Sequence, residues 1–357
     1  MGRSTTLEAP ASQPSPPPSG RGRPTLADVA REAGVSVATA SRAMNDRGTV
    51  AVATRERVMA AAAQLEFEPS SVARSLRLRS TGLVGFVVPD IGSSFYANAL
   101  KGAQHRLEAA GYQLALMDTD ERPEREVEAV RAFAARQVDG LLVCATGATD
   151  EAVRSFASAR SVPLVFFDNV VHGIGSGSVT LSNETGTRRL VDHLASVHGH
   201  RRIGFVGGLE RETSGAERSA GFRLGVLANG LAGDEELIRQ GDWMSESGAR
   251  ETSALLDLPE PPTAIVYADG LMAIGGMARL RERGARVPAD VAIAAFDDPE
   301  TGALLDPPLT ALVRRDREIG DLAASLLLRV LGRDDAGPMD VRIPMDLVIR
   351  RSCGCLP

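Results

Sequence analysis

The chain has 357 residues, 43% of them hydrophobic, and its 40 basic against 46 acidic side chains give a net charge of −6. That length exceeds one ordinary core and implies two or three domains; no run of about 18 apolar residues could cross a membrane, and three cysteines are too few for a disulfide framework. The charge is unevenly placed: residues 21–80 hold ten arginines against six acids, whereas residues 81–357 hold 29 bases against 39 acids, so a basic head sits on an acidic body.

Residues 1–22, rich in proline and serine, read as a disordered tail without the apolar core of a secretory signal. Arg21-Gly-Arg23-Pro24 is a short basic arm suited to backbone phosphates. In TLADVAREAGVSVATASRAMN (25–45), Thr25 is an N-cap signal with Asp28 three positions on. Leu26, Val29, Ala30 and Ala33 recur at helical spacing. Gly34 permits a turn at positive φ, and Ser36 caps a second helix, Val37–Asn45. Two short helices on a tight glycine turn form a helix-turn-helix pattern, whose second helix enters the DNA major groove; an ordinary amphipathic pair in a bundle is the alternative. Ser36, Thr39 and Ser41 can donate to phosphates, Arg42 can fork onto a guanine, and Val37 and Ala38 can meet a thymine methyl or exclude a base by shape. A third helix is expected from about Thr54 to Leu65, with Val58, Ala61, Ala62 and Leu65 facing the first two.

GVSVATASRAMN, followed by TRERVMAAAAQLEFEPSSVARSL and, later, FDD and PPLT, resembles the lactose/galactose (LacI/GalR) repressor family over about residues 23–355. The resemblance implies an all-α helix-turn-helix headpiece (23–69), a hinge helix (70–80) and an α/β, two-lobed, periplasmic-binding-protein-like sensor domain (81–357) with parallel sheets. It implies DNA contacts from Thr25, Asn45 and Arg74 as well. It also makes Leu76 of the hinge the side chain that wedges into the minor groove. By residue pattern alone, the hinge is too short for a stable isolated helix, and a flexible linker is the alternative. Where the family usually has serine this chain has Ala51, which removes a cap and a phosphate contact. Ala40 replaces the usual valine and trims the headpiece core.

From Leu83 the pattern alternates strand and helix. LVGFVVPD, NALKGAQHRLEAAGY, YQLALMD, a helix over about Glu124–Gln137, VDGLLVCA, SFASARSV and PLVFFD make one set. TRRLVDHLASVHG through VAIAAFDD makes a second. Such alternation means parallel sheets covered by helices on both faces. By resemblance, crossovers fall near residues 181–186 and 311–314. The first lobe then takes about 81–183 and 314–336, with a helix Ile319–Leu331, and the second takes about 184–313 and 337–352.

Ligands of open α/β sheets bind beyond the carboxyl ends of the strands. Asp90, Phe95, Tyr96, Asp168, Arg218, Trp243, Asp269 and Asp297 follow predicted strands or match places where the family contacts its effector. Arg211 and Thr213 are equally open to a solvated-loop reading. Carboxylates with an aromatic platform suit a sugar or sugar derivative, and a purine is the alternative. No catalytic constellation emerges. GIGSGS (173–178) starts no helix, and no G-x-S-x-G elbow occurs. Cys353-x-Cys355 offers two soft ligands, but no second pair or nearby histidine completes four, so reduced thiols on a frayed tail are expected. His198-x-His200 reads as a surface turn. No cofactor and no metal are expected.

The resulting expectation is a cytoplasmic, ligand-responsive repressor without enzymatic activity. Its partners are double-stranded operator DNA with inverted half-sites, a second copy of the chain in a homodimer, and a small effector, a carbohydrate first. No leucine heptads follow the last strand, so a dimer without a tetramerising tail is expected.

Overall fold

The computed structural model describes residues 24–44, 50–67, 80–146, 162–332 and 339–356. The N-terminal tail and arm, Asn45, the hinge with Arg74 and Leu76, and the SFASARSV segment up to residue 161 lie outside the described residues. The chain divides into two compact units, Met1–Arg79 and Ser80–Pro357.

The first unit contains α1 (Leu26–Glu32), α2 (Val37–Met44) and α3 (Val52–Gln64). Thr25 and Asp28 form a reciprocal capping box at the start of α1, satisfying two otherwise orphan amides. Gly34 adopts φ +67, and Val35 N returns to Ala30 O, so the chain reverses in three residues. Ser36 Oγ then accepts from Thr39 N at 3.1 Å and starts α2. Val29, Ala30, Ala40, Ala43, Val58, Ala61 and Ala62 form the buried centre. Alanines dominate it, so the helices pack closely around little side-chain volume. α3 begins two residues earlier than expected, and its cap residue, Ala51, makes no side-chain hydrogen bond.

The second unit contains two six-stranded sheets. The first has the order β11-β5-β4-β3-β1-β2, from β1 (Leu83–Val88), β2 (Gln113–Asp118), β3 (Gly140–Val143), β4 (Leu164–Phe167), β5 (Gly177–Leu181) and β11 (Met339–Ile343). The second has the order β12-β10-β9-β8-β6-β7, from β6 (Ile203–Gly207), β7 (Ile238–Gln240), β8 (Ala264–Tyr267), β9 (Ala292–Ala295), β10 (Thr310–Val313) and β12 (Asp346–Val348). Every pairing is parallel except β10 with β12. Central strands β3, β4, β8 and β9 are buried along their whole length, which is why they read as unbroken apolar runs rather than alternating ones. The covering helices are α4 (Ser94–Ala109), α5 (Pro123–Ala135), α6 (Asn183–Ser196), α7 (Thr213–Ala228), α8 (Ser245–Leu256), α9 (Gly270–Glu282) and α10 (Asp316–Leu331). α10 leaves the second sheet and packs on α4 of the first lobe, where Arg106 grips Asp321 with two hydrogen bonds of 2.9 and 2.7 Å.

The chain passes between lobes three times: after β5, after β10 and between β11 and β12. The third passage corrects the expected boundary. Residues 339–343 pair with β5 in the first lobe, in the register Met339↔Gly177 to Ile343↔Leu181, and only β12 finishes the second. The cause is that Pro344 interrupts the run: it has no amide hydrogen for a ladder, so the segment forms two strands, Met339–Ile343 and Asp346–Val348, one in each sheet.

The C-terminal segment is not frayed. A 3₁₀ turn, Arg351–Cys353, is buried at Ser352 and Cys353. Ser352 Oγ accepts from Thr310 N at 2.8 Å and donates to Ile293 O at 2.7 Å. The two thiols also have histidine neighbours, His193 and His198. Sequence spacing hides this: some 160 residues separate thiols and imidazoles, and the doubly wound fold brings them together. Among the described residues, no helix is long and apolar enough to cross a membrane.

Candidate functional site

In the first unit, the candidate DNA-contacting residues share the exposed side of α2 and the cap before it. Val37 is 48% exposed, Ala38 and Arg42 are exposed, and Thr39 and Ser41 are half-buried. Arg42 Nε donates to Ala38 O at 3.3 Å, which lays the side chain along the helix. Ser36 Oγ and Thr39 Oγ1 lie 2.9 Å apart, a hydroxyl pair at the helix N-terminus, where amides and dipole favour an anion. Thr25 differs: its hydroxyl donates to Asp28 Oδ2 at 2.6 Å and is engaged by its own helix.

In the second unit, all eight candidate effector residues line one cleft between the lobes. Asp90, Phe95 and Tyr96 come from the turn after β1 and the start of α4, Asp168 from the end of β4, and Arg218 from α7. Trp243, Asp269 and Asp297 follow β7, β8 and β9. Asp168, Trp243 and Asp297, together with Glu121, also of the cleft, have left-handed backbone at φ 60, 71, 72 and 53. Non-glycine residues take that conformation at a cost, and such strain concentrates at ligand sites.

The cleft is built around buried charge. Arg218 Nε donates to Asn183 Oδ1 at 3.0 Å and Nη1 to Ala268 O at 2.8 Å, and its guanidinium lies 3.7 Å from the Phe296 ring centre. Asp297 sits between two arginines, with Oδ2 at 2.7 Å from Arg314 Nη1 and 3.7 Å from Arg218 Nη1. Arg314 in turn covers the Phe95 ring. Phe95, 2% exposed, therefore supports an arginine rather than offering an open platform. Among the described residues, Asp168 Oδ1 and Asp297 Oδ1 are buried without a hydrogen bond, and unmet acceptors of this kind cost about 1–3 kcal/mol each; Asp297 Oδ2 is held by its arginine pairing instead.

Trp243 Nε1 donates to Glu212 Oε2 at 2.9 Å. Its ring rests on Gly208, where a Cβ would lie 1.8 Å from the ring, so only glycine admits the tryptophan there. Burial pushes the Glu212 carboxyl up to about 7, although the Trp243 hydrogen bond opposes it. Enclosure, and then the Asp297 charge, push Asp269 to about 7, while its Oδ1 caps α9 by accepting from Leu271 N and Met272 N. Burial likewise raises Asp168, against the pull of Arg218 and Arg314.

Arg211 and Thr213 are absent from the cleft lining. They join the lobes instead: Arg211 Nε donates to Thr146 O at 3.4 Å and Thr213 Oγ1 to Val170 O at 3.1 Å. Ser214 N adds a 2.8 Å bond to Asn169 Oδ1. Sequence reasoning missed Glu212, Asn169, Ser214 and Arg314. Arg314 directly follows β10, so the strand-end rule would have found it. Glu212 lies between two residues that were considered and carries no signal of its own.

Residues 25–70 match the family described as bacterial regulatory proteins, lacI family, and residues 191–353 match a periplasmic binding protein-like domain. Catabolite control protein A of Priestia megaterium is 31% identical over 329 residues, covering 92% of this chain and 98% of that protein. Among solved structures, the lac repressor dimer bound to operator and the anti-inducer ONPF superimposes with a TM-score of 0.83 at 30% identity, covering 92% of this chain and 98% of that one. A complex of the transcriptional regulator CelR with cellobiose gives a TM-score of 0.69 at 30% identity, covering 92% and 100%.

Proposed function

The chain belongs to the lacI family of bacterial regulatory proteins, a DNA-binding transcriptional regulator rather than an enzyme, and on that footing we propose that it is a repressor released or engaged by a small polyhydroxylated effector. Its operator is a double-stranded inverted repeat, read by the two headpieces of a homodimer, and its working compartment is the cytoplasm. Arg42 reads a guanine, Val37 and Ala38 select by apolar contact and shape, and Ser36, Thr39 and Ser41 set register on the phosphates. Arg74 and Leu76 of the hinge, with Asn45, complete the set by family resemblance.

The observation that carries the effector class is a pair of buried carboxylate oxygens in the cleft without a hydrogen bond, Asp168 Oδ1 and Asp297 Oδ1. A sugar brings hydroxyl donors, and Trp243 offers an aromatic face. The structure of a sugar-bound relative, the CelR–cellobiose complex, agrees with this choice. The cleft holds only about 80 Å³, well below the roughly 300–1,000 Å³ of typical ligand pockets. Entry therefore requires the lobes to part across the Thr146–Arg211 and Asn169–Ser214 contacts. An effector touching both lobes binds the two lobe arrangements with different affinity, and that difference shifts operator affinity.

A thermal-shift panel of mono- and disaccharides, polyols and nucleosides, read together with the fluorescence of Trp243, the one tryptophan, tests the reading. A sugar that raises the melting temperature and changes the emission supports it. A nucleoside doing so alone replaces the sugar with a purine ligand. Stabilisation with unchanged emission moves the site elsewhere.

A further inference from the structure

Outside the cleft, the described residues bring together one group of soft ligands. His193 Nε2 lies 3.3 Å from Cys353 Sγ and 3.8 Å from Cys355 Sγ, and His198 Nε2 lies 3.2 Å from Cys355 Sγ. One ligand atom from each of the four residues falls within 4.8 Å of every other. In a tetrahedron with metal–nitrogen bonds of 2.0–2.1 Å and metal–sulfur bonds near 2.3 Å, ligand atoms stand about 3.3–3.8 Å apart. The three distances above fall on or beside that range before any metal has drawn the atoms inward.

We propose that His193, His198, Cys353 and Cys355 form a closed, four-ligand structural zinc site in the second lobe. The donor set selects the ion. Two thiolates and two imidazoles in a tetrahedron suit zinc, and hard cations such as magnesium or calcium prefer oxygen. Four protein ligands leave no open position for a substrate, which makes the site structural rather than catalytic.

The local backbone is arranged for this. His193 stands in the last turn of α6 and His198 in the turn that follows, an H-x₄-H spacing within the usual range for paired histidine ligands. Cys353-Gly354-Cys355 is tighter than the usual cysteine pair. Gly354 makes it workable: its φ of +105 turns the chain so that both thiols face the imidazoles, and a Cβ there would press on His198 at 3.2 Å. Thr310 Oγ1 lies 3.1 Å from Cys353 Sγ, the kind of outer hydrogen bond that fixes a metal-bound thiolate. Isolated thiol–imidazole hydrogen bonds would explain each pair separately. They give no reason for two pairs, from segments far apart in sequence, to converge on one point. The ion would pin the C-terminal turn to the end of α6.

The test uses the full chain, freed of any affinity tag and purified under reducing conditions. Metal analysis should find about one zinc per chain. After removal with a chelator, added Co²⁺ should give the intense visible bands of tetrahedral cobalt and a thiolate charge-transfer band. Cys355→Ala and His198→Ala alter partly exposed ligands and should each lose the zinc and the cobalt bands while far-ultraviolet circular dichroism stays native. If either variant unfolds, thiol titration of the natural chain decides: zinc should shield Cys353 and Cys355 until chelator is added. Absence of zinc with no cobalt uptake, an octahedral cobalt spectrum, full zinc retention by both variants, or thiols equally reactive with and without chelator would each overturn the site.

Discussion

Arg42 is the only charged side chain on α2, and its fork matches the O6 and N7 edge of guanine. Arg42→Ala should weaken operator binding by about 1–3 kcal/mol and relax preference at one base pair per half-site. Footprinting against operator variants checks this, and an unchanged preference removes the residue from its role. In the cleft, Gly208 is the seat of the Trp243 ring, so Gly208→Ala should displace the indole. Tryptophan emission should shift to the red, and effector affinity should fall by about tenfold or more, roughly 1.4 kcal/mol. Native emission with native affinity would contradict the seating. Glu212 titrates near 7 in the folded chain against 4.5 as its ordinary value. The folded state therefore binds the extra proton between those pH values, and stability falls as pH rises through that window, then levels off. Asp269 contributes with the same sign. Glu212→Gln keeps an acceptor for Trp243 Nε1 and should flatten part of the fall in melting temperature between about pH 5 and 7; an equal slope in both proteins would assign the effect elsewhere.

Each headpiece helix depends on its cap, because 7 to 13 residues propagate too few hydrogen bonds to hold a helix in isolation. α1 has its capping box and α2 its serine, but α3 starts on Ala51 with no side-chain acceptor. Ala51→Ser should stabilise the first unit by about 0.5–2 kcal/mol, measured by denaturant unfolding. If the added hydroxyl also reaches a phosphate, nonspecific DNA affinity rises and becomes steeper in salt. In the second unit, edge strand β11 is held by its parallel ladder to β5 and by the 2.7 Å bond from Ser178 Oγ to Asp340 Oδ1. A strand contributed from beyond α10 ties the lobe's two sequence-distant parts together.

The two units divide the labour of the molecule. The first carries the helix-turn-helix and a small alanine-rich core, and the second carries the sheets and the cleft. Residues 80–357 alone should therefore keep the effector-induced rise in melting temperature and the Trp243 response while losing all DNA binding. Conversely, Leu76→Ala in the full chain should lose specific binding and keep the salt-sensitive nonspecific kind. Equal loss of both would refute the wedge.

Local and periodic features were readable without coordinates. Thr25, Gly34 and Ser36 announce their turn by backbone chemistry, and apolar runs such as LVFF and AIAA announce strands buried on both faces. The strand-end rule and the family resemblance together named eight residues that the fold brings to one cleft, because the carboxyl ends of parallel strands in a sheet open on the same side; Arg218 came from the resemblance, since it stands within a helix. Folding alone decided what depends on pairs distant in the chain. Whether residues 339–343 join the first or second sheet is a matter of hydrogen-bond register with β5. Whether Arg211 faces a ligand or Thr146 depends on how the lobes meet. Whether Cys353 and Cys355 hang in solvent or meet two histidines depends on where a helix 160 residues earlier happens to end. Short-range sterics and burial act through neighbours and period, and leave a trace in the order of residues; contacts across the fold depend on three-dimensional closure, and leave none.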